Sequence, residues 1–86
     1  MPIELTERFQ EAYLRLPIQI QRKVDKALEL LDEDRRHPGL QTKFIKGTLG
    51  IYEARVDQKY RMTYEINRDT YVMRNVGSHD PTLKSP

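Results

Sequence analysis

The apolar positions of this chain change period at Pro38-Gly39, and that change limits the fold more than any other feature. Before it, Leu5, Phe9, Ala12, Tyr13 and Leu16 recur at offsets 0, 4, 7, 8 and 11, and Ile20, Val24, Ala27, Leu28 and Leu31 repeat those offsets. Such spacing lines one face of an α-helix. Thr6 is suited to cap the first helix and Glu7 to sit in its first turn. Pro17 interrupts the run at a residue suited to opening a second helix, and Pro38-Gly39 stops that helix after Arg35, Arg36 and His37. The spacing predicts helices over about residues 6–16 and 18–35, joined as a hairpin, with residues 2–5 as a candidate short edge strand.

After Gly39 the period is two. The segments 42–47, 51–56, 60–66 and 70–76 alternate and are rich in β-branched and aromatic residues, so they read as strands. The connections between them are short, which makes consecutive strands antiparallel neighbours. The expected fold is α+β, one domain over residues 1–86. In it an N-terminal helical hairpin packs on one face of a four-stranded antiparallel sheet, and the other face stays open to solvent.

Alternation sorts the side chains. Tyr52, Ala54 and Val56, with Tyr60, Met62, Tyr64 and Ile66, belong to the core face. Glu53, Arg55, Arg61, Thr63 and Glu65 belong to the open one. A three-residue turn over 57–59 sets Val56 against Tyr60 and therefore Arg55 directly against Arg61.

Charge narrows the partner. Residues 1–34 carry five Lys/Arg against eight Asp/Glu, and residues 35–86 carry ten against five. A basic half fits an anionic partner such as nucleic acid, and an unevenly charged solvated surface fits the same counts. No cysteine is present, and no apolar run approaches the ~20 residues of a membrane span. The N-terminus lacks the core of a signal peptide, so a soluble cytoplasmic chain with no membrane partner is expected.

Paired guanidinium groups on a rigid sheet suit a phosphate, because each offers a planar fork of donors. Neutralisation by Glu53 or Glu65 is the competing reading. Lys43 and Lys46 precede the Gly47 turn, and Lys46 is the better placed of the two to widen the patch. His79 follows the last strand, which carries it toward Tyr60 and Arg61, and its charge changes near neutral pH. Asp80 is placed to orient it. His37, between two arginines and a proline, reads as a helix-terminus residue without chemistry. Two distant histidines and scattered carboxylates do not make a metal site, and no cofactor is implied.

With these pieces in view, "LPIQIQRKVDKALELLDEDRRHPGL", "KFIKGTLGIYEARV", "YRMTYEI" and "NVGSHD" together resemble the RelE/ParE superfamily of toxins from toxin–antitoxin pairs. The resemblance runs through nearly the whole chain. It implies two helices on a curved antiparallel sheet and a cognate antitoxin as partner, with higher-order toxin–antitoxin assembly open. For the RelE-like branch it implies a metal-independent endoribonuclease that cuts messenger RNA, usually on the ribosome. Attack by the 2′-OH would leave a 2′,3′-cyclic phosphate. Lys46, Arg61 and His79 fall at the places that serve the nuclease site, with Arg55 as companion. Lys43, Glu53 and Asp80 are the candidate substrate-contacting residues. Where many relatives carry a tyrosine after the histidine, this chain has Thr82 and Leu83. ParE-like members instead block DNA gyrase, and a non-cleaving RNA-binding module is a third reading.

Overall fold

A computed structural model describes residues 1–86. The elements run β1 (Ile3–Leu5), α1 (Glu7–Leu14), α2 (Ile18–Glu33), a 3₁₀ turn (Pro38–Leu40), β2 (Lys43–Phe44), β3 (Ile51–Arg55), β4 (Tyr60–Asn67), β5 (Thr70–Ser78) and α3 (His79–Lys84). The α+β class is the one the change of period predicts. One sheet has the order β1-β5-β4-β3-β2. No helix is long and apolar enough to cross a membrane.

Three features correct the expected architecture. The sheet has five strands and is mixed, because β1 pairs with β5 in parallel, Ile3 opposite Tyr71 and Leu5 opposite Met73. The long path through both helices and three strands permits a parallel return. Thr6 then fastens the end of β1, since its amide and its hydroxyl both donate to the Met73 carbonyl, at 3.3 and 2.7 Å. With a strand in front of them, the helices do not form a clear N-terminal hairpin. Phe9 and Ala12 of α1 and Val24, Ala27 and Leu31 of α2 instead enter one core with Ala54, Met62, Tyr64, Tyr71, Met73 and Val76. Burying each large apolar side chain there contributes about 1.5–3 kcal/mol.

The third correction concerns the open face. Thr63 is fully buried on it, and Glu53 nearly so. Past β5 the chain turns back as α3, and its last residues cross this face. Thr63 Oγ1 donates to the Pro86 carbonyl at 2.9 Å, Arg74 Nε to the same oxygen at 3.3 Å, and Asn75 Nδ2 to the Ser85 carbonyl at 3.1 Å. Arg8 donates to the Ser85 carbonyl as well.

Element ends also have local causes. Helix α1 stops at Leu14, with Arg15 still in helical geometry as its cap and Leu16, the residue before Pro17, disfavoured from it. Helix α2 ends at Glu33, because Asp34 is extended and its carboxylate accepts the Arg36 amide at 2.9 Å. The strand expected over 42–47 shrinks to Lys43–Phe44. There the chain curls into a loop in which Gly47 and Gly50 take φ of 83° and 93°, conformations that side chains rarely adopt. Arg74 is the extra residue of a β-bulge, since Thr63 faces Asn75 whereas Tyr64 faces Met73. The bulge lets both Met73 and Val76 point into the core.

Candidate functional site

The β3–β4 turn builds the site. Asp57 Oδ1 accepts the amides of Lys59 at 2.8 Å and Tyr60 at 2.9 Å, and Oδ2 takes the Lys23 ammonium at 3.0 Å. Burial alone would raise this carboxyl, but the Lys23 hydrogen bond and the two amides outweigh it and hold Asp57 below the usual carboxylate range. The turn so fixed pairs Arg55 with Arg61 in register.

The two arginines are not equivalent. Arg61 Nη1 donates to the carbonyls of Asp57 at 2.6 Å and Tyr60 at 3.0 Å, and its side chain is 16% exposed. Its Nε lies 3.8 Å from Glu53 Oε1. Arg55 is half-buried and has no carboxylate within ion-pair distance. Turning Arg61 onto backbone carbonyls relieves the repulsion between directly opposed like charges. Glu53 also faces Lys43 across β2, 4.0 Å from its ammonium, so one carboxylate oxygen serves both cations. Glu65 instead pairs with Arg74 at 3.3 Å.

His79 opens α3, and its amide donates to the Lys59 carbonyl at 2.9 Å, so it stands beside the turn that holds Arg61. Ser78, just before it, faces Tyr60. Because residues 79 and 80 begin a helix rather than extend a strand, their side chains meet, with His79 Nδ1 2.8 Å from Asp80 Oδ1. That hydrogen bond, helped by the charge of the imidazolium, lowers the Asp80 carboxyl. His37 accepts the Gly39 amide on Nδ1 at 3.1 Å and caps the 3₁₀ turn.

Arg55, Arg61, Glu53, Lys43, His79 and Asp80 thus gather around one end of the β3–β4 hairpin. Lys46 does not join them. The Ile45 amide donates to the Ile51 carbonyl, which sets Lys46 at the opposite end of β3. Ile51 and Arg55 stand four steps of about 3.3 Å apart, roughly 13 Å along the strand. Thr63, Arg74 and Asn75, which hold the chain crossing this face, carry no motif. The polar Thr63 between arginine and glutamate positions was their one signal.

No family model and no curated protein matches the sequence. Among solved structures, the chain is similar to a RelB–RelE antitoxin–toxin complex from Methanococcus jannaschii, with 24% identity and a TM-score of 0.73 over 87% of this chain and 88% of that one. It is similar to a YoeB/ParE toxin from Agrobacterium tumefaciens, with 14% identity and a TM-score of 0.77 over 92% and 99%. The DinJ–YafQ toxin–antitoxin complex of E. coli gives 14% identity and a TM-score of 0.76 over 92% of each chain. At these identities the likeness is one of backbone, over 87–92% of this chain. The chain has the RelE/ParE-type toxin fold.

Proposed function

We propose that this protein is the toxin of a toxin–antitoxin pair and acts as a metal-independent endoribonuclease on messenger RNA. The observation that carries the reading is the unpaired Arg55 opposite a backbone-held Arg61, with His79 tied to the same turn. A phosphate lying between the two guanidinium groups would meet one pre-set fork of donors and one free one. The 2′-oxygen would attack the adjacent phosphorus as the bond to the 5′-oxygen breaks. The 2′-hydroxyl proton would pass to water or to Glu53, and His79 as imidazolium would protonate the departing oxygen. Asp80 would hold the ring in place. Several solved structures with this fold are toxins in complex with an antitoxin. We extend that partnership to this chain.

Induction of the protein, with RNA 5′ ends, translation and DNA supercoiling followed together, tests the reading. Early cleavage inside reading frames, leaving 2′,3′-cyclic phosphate and 5′-hydroxyl ends, is expected. Loss of supercoiling with intact RNA would overturn it in favour of a non-enzymatic gyrase inhibitor. RNA binding without new 5′ ends would reduce it to a binding module. The antitoxin is tested by pull-down with the product of the adjacent gene.

A further inference from the structure

A second cleft lies on the other side of the sheet. It has a volume of about 380 Å³ and is bounded by the end of α2 and the β2 edge, with Arg35, Arg36, Thr42, Lys43, Phe44 and Tyr52 in its walls. Three cations and no carboxylate line it. Phe44 is half-exposed and meets Tyr52 edge-on, with ring centres 5.7 Å apart. Tyr52 in turn stacks on Tyr64 at 5.5 Å and 17°, which fixes the aromatic wall to the core. The Arg35 guanidinium stands 5.9 Å from the Tyr52 ring centre. Arg36 and Lys43 are largely exposed and only loosely tied, 3.6 Å from Asp34 and 4.0 Å from Glu53.

Thr42 Oγ1, in the wall of the cleft, has no hydrogen-bond partner by geometry. A buried donor without an acceptor is costly and marks a place where a ligand acceptor would be held.

An aromatic wall, three cations and the spare Thr42 hydroxyl together describe a planar, anionic ligand with acceptor atoms. We propose that this cleft is a nucleotide subsite, taking one base against Phe44 and Tyr52 and its phosphate against Arg35, Arg36 and Lys43, for a residue of single-stranded RNA. Stacking on aromatic rings and guanidinium planes is how unpaired bases are held. Lys43 links the two faces, because it lines the cleft and also faces Glu53, the contact of Arg61. A strand passing round the β2 edge would therefore place one nucleotide here and another phosphate at Arg55 and Arg61. That last step rests on the proposed nuclease reading; the cleft's affinity for a nucleotide does not.

The test is amide chemical-shift mapping of the whole protein with AMP, inorganic phosphate, an acidic peptide and a 2′-O-methylated RNA pentamer that cannot be cleaved. AMP is expected to shift Arg35, Thr42–Phe44 and Tyr52 saturably, and phosphate alone only weakly. Phe44→Ala should weaken AMP and pentamer binding roughly tenfold while the circular dichroism stays native. Arg68→Ala, in the turn between β4 and β5, should leave AMP affinity unchanged. The pentamer should shift the cleft and the Arg55–Arg61 face together. Phosphate binding as tightly as AMP would overturn the subsite in favour of a plain anion site. A pentamer that shifts only the Arg55–Arg61 face would overturn the RNA assignment, and a response to the peptide alone would make the cleft a protein-docking surface. Failure of cleavage with nucleotide binding intact would refute the nuclease reading and leave the subsite standing.

Discussion

Gly77 shows how the fold keeps the chain after β5 on the site face. It lies opposite Arg61, and a Cβ added there would come 2.7 Å from Oγ1 of Thr82, itself 2% exposed. Thr82 is β-branched and buried, so its rotamers are few, and relief requires its side chain or α3 to shift. Overpacking of this kind costs about 1–3 kcal/mol. The smaller unfolded-state entropy of alanine returns about 0.4–1 kcal/mol. At the middle of both ranges Gly77→Ala should therefore lose about 1.3 kcal/mol, a fall in Tm of about 5–10 °C for a domain of this size. Thr82→Ala removes the obstructing oxygen. In that background the same Gly77→Ala change should be neutral or stabilising, whereas in Thr82→Val, which keeps the branch, it should stay harmful. Urea unfolding of the four-variant cycle gives the coupling, and hydrogen exchange over residues 79–85 reports whether α3 has lifted. If Gly77→Ala unfolds with the parent, or if Thr82→Ala does not rescue it, the packing argument is wrong.

Asp57→Ala should cost about 1–3 kcal/mol by removing the acceptor of two turn amides, while Asp57→Asn, which keeps an oxygen there, should cost under about 1 kcal/mol. Since the folded carboxyl of Asp57 lies below its unfolded value, its contribution is full above about pH 4 and fades as pH falls through the folded value. Urea midpoints of Asp57→Asn should thus fall less steeply than the parent's between pH 5 and 2, and a parallel fall would refute the assignment. Under the nuclease reading, His79→Ala should slow single-turnover cleavage of a ribosome-bound message ~10²–10⁴-fold. His37→Ala should leave that rate alone and cost about 0.5–1 kcal/mol of stability through the lost cap. Arg61→Ala should lower both cleavage and stability, the latter by about 1–3 kcal/mol through its bonds to Asp57 and Tyr60. Arg55→Ala should lower cleavage alone, and equal unfolding midpoints for the two variants would contradict the difference in their contacts.

The legible part of this fold is the part where alternation and loop length act together. Val56 and Tyr60 are both core residues, so only an odd turn between them keeps the faces consistent, and Arg55 must then meet Arg61. Strand β1 has three residues, too few to show a period, and nothing in Ile-Glu-Leu states a parallel partner 68 positions away. The segment after Asp80 reads as a short polar tail, yet main-chain oxygens of Ser85 and Pro86 are what bind it to the sheet. Backbone acceptors are the same in every residue and leave no trace in composition. For the same reason the sequence presents Arg55 and Arg61 as a matched pair, while the carbonyls of the 57–60 turn separate them. Lys46 shows a different limit: its place beside the Gly47 turn suggests reach to the patch, but the Ile45–Ile51 hydrogen bond sets it at the far end of β3 from Arg55.

Glu53 remains the residue whose role the geometry leaves most open to experiment, because it suits two. Its oxygen lies 3.8 Å from Arg61 and 4.0 Å from Lys43, too long for strong hydrogen bonds to either, so it acts on both chiefly through charge. A phosphate approaching Arg61 competes with that carboxylate. Glu53→Gln keeps the shape and removes the competitor. Arg61 retains its carbonyl acceptors, and Lys43, 71% exposed, retains water, so the fold should lose no more than about 1 kcal/mol. Binding of an uncleavable RNA should tighten, and its dependence on salt should steepen by about 0.7 in the logarithmic slope for the one phosphate contact released. If cleavage rises or holds with that tighter binding, Glu53 is a positioning residue for its two cations. A cleavage rate lower by ~10²-fold or more, with RNA bound more tightly than by the parent, would instead make it the base that accepts the 2′-hydroxyl proton. Weaker RNA binding by Glu53→Gln would refute the electrostatic account of this face altogether.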